Sequence, residues 1–153
     1  MNVYFGVIGF ILSTFIGYRL SVKFTQRKSF YNTFYNFNEK MLDEISFSSK
    51  SLLSLIEKEN CNSNDFYGIL QKKIIKSDYN YPQYLKPEDK IFFEEYEKLL
   101  GKSDKKSQNE FLTAKKNELL KLKTESEQEE KKYKNLYVKL GFLLGLVVLV
   151  VSF

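Results

Sequence analysis

The sequence contains no histidine and no tryptophan, and its single cysteine is Cys61. Without histidine there is no Ser-His-Asp or Cys-His relay, no imidazole metal ligand and no histidine pH switch. One thiol excludes an internal disulfide and a cysteine-based zinc cluster. Cys61 sits among Asn and Ser in the polar stretch 57–65, with no histidine to pair with it, and reads as inert. Glycine-rich phosphate loops are also missing. Gly101-Lys102-Ser103 matches only the tail of a P-loop, and nothing glycine-rich precedes it. The formal charge of +5 is modest and mixed in sign, which argues against nucleic-acid binding.

Charge is absent from both ends of the chain. Every Lys, Arg, Asp and Glu lies between Arg19 and Lys139. The pattern reads as two membrane segments around a water-soluble middle. The first apolar run, residues 3–18, spans about 24 Å as a helix, against roughly 30 Å of bilayer hydrocarbon. Leu20 and Val22 continue it, and Arg19 and Lys23 can snorkel to lengthen it. A signal peptide would need a basic start and a small-residue cleavage site, and neither is present. A buried core helix is the other alternative to an uncleaved anchor. The second run, Leu140 to Phe153, is preceded by Tyr133, Tyr137 and Lys139, residue types that favour the membrane interface.

Orientation follows from the basic flanks. Arg19, Lys23, Arg27 and Lys28 follow the first run; Lys131, Lys132, Lys134 and Lys139 precede the second. The positive-inside rule places both flanks, and the domain between them, in the cytoplasm. The same side chains would be attracted to anionic headgroups. Within the runs, Gly9, Ser13 and Gly17 recur every four residues, and Gly141 and Gly145 form a GxxxG. Such faces let helix backbones approach closely, either between the two spans or with a partner, although glycine is also simply common in membrane helices.

The middle is patterned for helices. Phe34, Phe37, Met41, Ile45, Leu52 and Ile56 recur at three- and four-residue intervals, as one helix or as two meeting near residues 47–50, where Ser48, Ser49 and Ser51 offer caps. A shorter helix follows from Phe66 to Lys76, with Phe66, Leu70 and Ile74 on one face and Asn64 or Asp65 as cap. The stretch around Pro82 and Pro87 must be irregular. Its Tyr79, Tyr81 and Tyr84 lack any RNP-like context and read as loop packing. Pro87-Glu88-Asp89 opens the next helix, whose apolar face is expected to comprise Ile91, Phe92, Tyr96, Leu99 and Leu100. Glu94, Glu95 and Glu97 read as a solvated face.

A tight helix–helix turn is expected at Leu100, Gly101, Ser103 and Asp104, with Gly101 as C-cap and Ser103 as N-cap of the following helix. From Asp104 there is no Pro or Gly until Gly141, so one continuous helix should run into the membrane. Its stripe is Phe111, Leu112, Leu119 and Leu122; its polar stretch 123–134 suits i,i+4 pairing on a solvated stalk. The expected organisation is an all-α antiparallel helical bundle (24–123) flanked by an N-terminal and a C-terminal transmembrane helix (1–22 and 138–153), with a charged helical stalk at 124–137. No catalytic residue, metal site or cofactor is expected.

The C-terminal half carries a further pattern. Leu100, Gly101, Ser103, Asp104 and Gln108 resemble the L-G-x-S-D-x-x-x-Q turn of the stage III sporulation protein AB family. Leu112, Leu119 and the ending KKYKNLYVKLGFLLGLVVLVV follow at similar spacing. Gly17, Arg19, Arg27 and Glu44-Ile45 through Leu52 resemble the family's first span and following helix. The resemblance is carried by residues 92–153 and 5–56. It departs at Phe47-Ser48 and Lys50-Ser51, where the family has Y-G and T-P, and in the missing Trp.

The resemblance implies a two-pass protein of the mother-cell membrane. It would be a platform or coupling piece in the channel between mother cell and forespore, similar to the platform proteins of secretion systems. The partners it implies are the lipid bilayer, other channel subunits and a separate stage III sporulation protein AA-like ATPase, with no nucleic acid and no small-molecule substrate. A generic membrane-tethered scaffold of the cell envelope is the alternative that the residues themselves leave open.

Overall fold

A computed structural model describes residues 3–47, 65–74 and 80–152. Among these residues there are four helices and no strand: α1 (Val3–Phe47), α2 (Phe66–Ile74), α3 (Pro87–Leu99) and α4 (Lys105–Val151). The chain is all-α. The positions of Leu52, Ile56, Cys61 and Tyr79, the caps proposed at Ser48, Ser49, Ser51 and Asn64, and the Ile74 side chain lie outside the described residues. α1 carries the first apolar run and the aromatic stripe in one uninterrupted helix, as a stretch without proline permits. α4 is the single long helix expected after Asp104.

The described residues form two compact units. One comprises Ser29–Thr124; the other joins Met1–Lys28 to Glu125–Phe153. In the first unit the α1 stripe meets α2, α3 and the start of α4. Phe34 is fully buried at the centre, stacked on Phe66 at 4.5 Å and edge-on to Tyr96 at 4.7 Å between ring centroids. Phe30, Phe37, Phe93, Leu112 and Leu119 complete the surrounding shell. Truncating so central a ring costs about 3–5 kcal/mol, because the neighbours cannot collapse into its volume. Tyr81 and Tyr84 pack against this core, and Tyr81 donates a hydrogen bond to Glu94 at 3.1 Å, in keeping with loop packing.

The sequence pattern mis-phases α3. Ile91 and Leu99, expected inside, are 59% and 54% exposed, whereas Phe93 and Asp89, not assigned to the core, are buried. The inward face is therefore Asp89, Phe93, Tyr96 and Leu100. The reason is polar. The Asp89 carboxylate accepts hydrogen bonds from the Tyr31 hydroxyl and, at 2.9 Å, from the Lys86 N–H at the start of the helix. A second buried network lies nearby: Tyr96 donates to Asn38 Oδ1 at 2.9 Å, and Asn38 Nδ2 donates to the Leu112 carbonyl at 3.1 Å. Burial pushes the Tyr96 hydroxyl well above its ordinary range, so it remains a donor. An unpaired polar group at such a site costs about 1–3 kcal/mol, enough to fix which way the helix faces.

Candidate membrane hairpin and helix–helix turn

In the second unit α1 and α4 run antiparallel. Gly6 meets Ser152, Gly9 meets Val148, Gly17 meets Gly141, and Phe24 stacks on Tyr133. The small residues make this register possible. A Cβ on Gly17 would lie 2.7 Å from the Tyr137 carbonyl oxygen and 2.9 Å from the Gly141 Cα. A Cβ on Gly145 would lie 2.8 Å from the Phe10 ring and 3.0 Å from its carbonyl oxygen. The Ser13 hydroxyl donates across the interface to the Gly141 carbonyl at 2.9 Å. Thr14, Ser21 and Ser152 turn their hydroxyls onto carbonyls of their own helices. Hydroxyls at such depth need an internal acceptor, and each has one.

The structure thus brings Gly9, Ser13, Gly17, Gly141 and Gly145 together at one interface. Three further residues of the same ladder went unnoticed in the sequence: Gly6, Ser21 and Ser152, all buried. Ser21 sits one four-residue step beyond Gly17, a signal that was there to be read. The large apolar side chains point the other way. Tyr4, Phe5, Ile8, Ile11 and Phe15 on α1, and Leu143, Leu144, Val147 and Val150 on α4, are more than half exposed. A buried core helix would cover these side chains, so that alternative is set aside. Both helices are long and apolar enough to cross a membrane.

Beyond the apolar runs the two helices are joined by ion pairs. Arg27 donates to Glu129 at 2.7 Å and Lys28 to Glu130 at 3.0 Å. Glu130 also accepts from Thr25 and Lys134, both at 3.2 Å. The Lys28 ammonium, aided by Lys134 and Thr25, holds the Glu130 carboxyl below its ordinary range. Phe24 lies at 5.4 Å from the ring of Tyr133 and 5.6 Å from that of Tyr137. The polar stretch around 129–134 is therefore one side of a helix pair, where the sequence suggested a solvated stalk with pairing along its own helix. The i,i+4 pair Lys134–Glu130 is present, but the principal partners of Glu129 and Glu130 sit on α1. Antiparallel register puts residues 102 positions apart in contact, which no local pattern encodes.

These pairs divide the basic flanks. Arg27, Lys28 and Lys134 contact acids within the hairpin. Arg19 lies over the Phe15 ring at 5.9 Å and Lys132 over the Tyr133 ring at 5.1 Å. Lys23, Lys131 and Lys139 are exposed.

The turn between α3 and α4 is built as a closed unit. Gly101 has φ 72°, in the left-handed region that favours glycine after a helix end. Gln108, buried in the first turn of α4, accepts from the Gly101 N–H and the Ser103 hydroxyl, both at 3.1 Å. The N-cap is Asp104, one residue later than expected. Its carboxylate accepts the N–H groups of Lys106 at 3.2 Å and Ser107 at 3.4 Å. The Ser107 hydroxyl and these N–H groups hold the Asp104 carboxyl below its usual value. A carboxylate also complements the positive helix end, whereas the Ser103 hydroxyl is committed to Gln108.

Two exposed apolar helices closed by glycines, joined to a packed helical domain, define a membrane protein of the anchored all-α class. Within that class, the chain belongs to the stage III sporulation protein AB family, whose family model matches residues 57–152, more than half of its length. The match spans the turn, the charged stretch and the second apolar run. It also includes residues 57–91, where the motifs read from sequence are sparse. Searches of curated proteins and of solved structures return no significant match. It is a sporulation-related membrane protein.

Proposed function

We propose that this protein is a non-enzymatic platform of the channel between mother cell and forespore. The hairpin anchors it in the mother-cell membrane, the helical domain lies in the cytoplasm, and that domain engages a separate secretion-type ATPase. The observation that supports this most is the hairpin itself. Its apolar faces are turned outward and its glycine faces inward, and basic side chains flank it where both helices leave the apolar runs toward residues 29–124. That basic flank favours a cytoplasmic domain by the positive-inside rule. Arg19, Lys23, Lys131, Lys132 and Lys139 then serve the headgroup layer, while Arg27, Lys28 and Lys134 hold the helices together. The chemistry asked of the domain is surface complementarity on a rigid core.

Topology is the direct test. With Cys61 replaced by Ser, single cysteines at exposed positions such as Lys98 or Lys121 should resist a membrane-impermeant maleimide in intact spheroplasts and react after lysis. Labelling in the intact cells would reverse the orientation and remove the ATPase from reach. Co-purification of the cognate AA-like ATPase with the full-length chain from sporulating cells tests the coupling role.

A further inference from the structure

Beside the Gly17–Gly141 contact the two membrane helices enclose an apolar groove of about 500 Å³. It follows α1 from Gly9 to Leu20, about 17 Å along the helix axis. The glycine contact is its floor, and Leu12, Ile16, Leu140 and Leu144 stand along its sides. The one hydroxyl on the floor, that of Ser13, is committed to the Gly141 carbonyl. Volume over length gives a section of about 30 Å², roughly a third of that of a helix about 10–12 Å across. The groove is therefore too narrow to seat a third membrane helix, and it fits a single hydrocarbon chain. It ends at Leu20 and Tyr137, where both helices leave the apolar runs toward residues 29–124. Lys23 lies three positions beyond Leu20, on the same side of α1 as Leu12, Ile16 and Leu20, and is exposed. Acids are scarce at that end. The first on α1 is Glu39, and the last on α4, Glu129 and Glu130, are engaged by Arg27 and Lys28.

We propose that this groove binds one anionic glycerophospholipid, with an acyl chain along the Gly17–Gly141 floor and the headgroup phosphate at Lys23. The site and the ligand are amphipathic in the same order: an apolar channel one chain wide, then a cation where the apolar lining stops. A cleft of this size with a predominantly apolar lining and few polar groups is the usual build of a small-molecule site. Hydrocarbon surrounds both apolar runs in a bilayer, so a lipid chain is the occupant that the medium itself supplies. Lys23, with no acid close along either helix, selects a headgroup of net negative charge over a zwitterionic one. The inference rests on the membrane reading and is independent of the coupling role.

The test is native mass spectrometry of the full-length chain in detergent, with dioleoylphosphatidylglycerol or dioleoylphosphatidylcholine added. One phosphatidylglycerol per chain should be retained at concentrations where phosphatidylcholine is not. Ile16→Trp with Leu144→Trp, which fills the groove from both sides, should abolish that retention. Lys23→Gln, at an exposed position, should reduce the preference for phosphatidylglycerol by about fivefold. Lys139→Gln and Ile8→Trp, on the faces turned away from the groove, should change neither. If the wild type retains both lipids alike, or neither, its lipid is only the exchanging layer around any membrane helix, and the site is overturned. Unchanged retention in the double tryptophan variant overturns the groove, and an unchanged preference in Lys23→Gln overturns the headgroup contact. If the tryptophans alter only the fraction of dimers, the groove packs against protein and the inference is likewise overturned.

Discussion

Gly17 and Gly141 face each other across the α1–α4 interface so closely that a Cβ on either would lie 2.9 Å from the Cα of the other. Backbone against backbone, this contact sets the separation of the two helices where they are apolar. Hydrophobicity does not drive helices together in lipid, so close packing and hydrogen bonds such as Ser13 to Gly141 must.

The first prediction follows from that contact. In a Cys61→Ser background, cysteines replacing Gly6 and Ser152, where a Cβ on Gly6 would lie 2.6 Å from the Ser152 Cβ, should form a disulfide readily in membranes under oxidising conditions. Adding Gly141→Leu should abolish most of that product. Leu143→Ala, at a side chain 55% exposed, should not. Equal yields in all three would mean that the glycine contact does not hold the helices.

Asn38 is the second target. Asn38→Ala strands both the Tyr96 hydroxyl and the Leu112 carbonyl, and should destabilise the helical domain by about 2–4 kcal/mol. Tyr96→Phe strands only Asn38 Oδ1 and should cost less, about 1–2 kcal/mol. Chemical unfolding of the full-length protein in detergent, followed by tyrosine fluorescence for Asn38→Ala and by circular dichroism for both, reads the difference.

The turn supplies the third. Gln108→Leu removes the acceptor of the Gly101 N–H and the Ser103 hydroxyl, and should lower stability by about 1–2 kcal/mol. Gly101→Ala, forced to φ 72°, should cost about 1 kcal/mol. Since both act on the same turn, the double variant should fall short of the sum of the two effects. Strict additivity in thermal unfolding would show that Gln108 and Gly101 act separately.

The fourth concerns pH. The Glu130 carboxyl titrates lower in the folded protein than in the unfolded chain, held there first by Lys28. Its contribution is therefore complete above the ordinary glutamate value of about 4.3 and is lost as the pH falls through the lower folded value. Stability of the hairpin in detergent should be level from neutrality to about pH 5 and decline below it. Glu130→Gln should be less stable at pH 7 and show a shallower decline. An unchanged slope in that variant would assign the acid sensitivity to other carboxylates.

Several features were legible because they depend on neighbours along the chain. Uncharged ends, helical periodicity, the opening of α3 at Pro87 and the stop at Gly101 are local matters of hydropathy, spacing and backbone freedom. Even there the limits were local ones. Ser103 and Asp104 are both competent caps, and only the engagement of Ser103 with Gln108 decides between them. In α3, a stripe drawn through Ile91 and Leu99 is as regular as one drawn through Phe93 and Leu100.

By itself, then, the sequence determined an all-helical chain with two apolar ends, a glycine-stopped turn and its family, because those follow from composition and short-range order. The tertiary structure alone decided which faces meet. The phase of α3 rests on Asp89 reaching Tyr31, and the basic flank of α1 finds its acids on α4. Partners 58 and 102 residues apart are chosen by the cost of burying a polar group unpaired, and that cost exists only once the helices have packed.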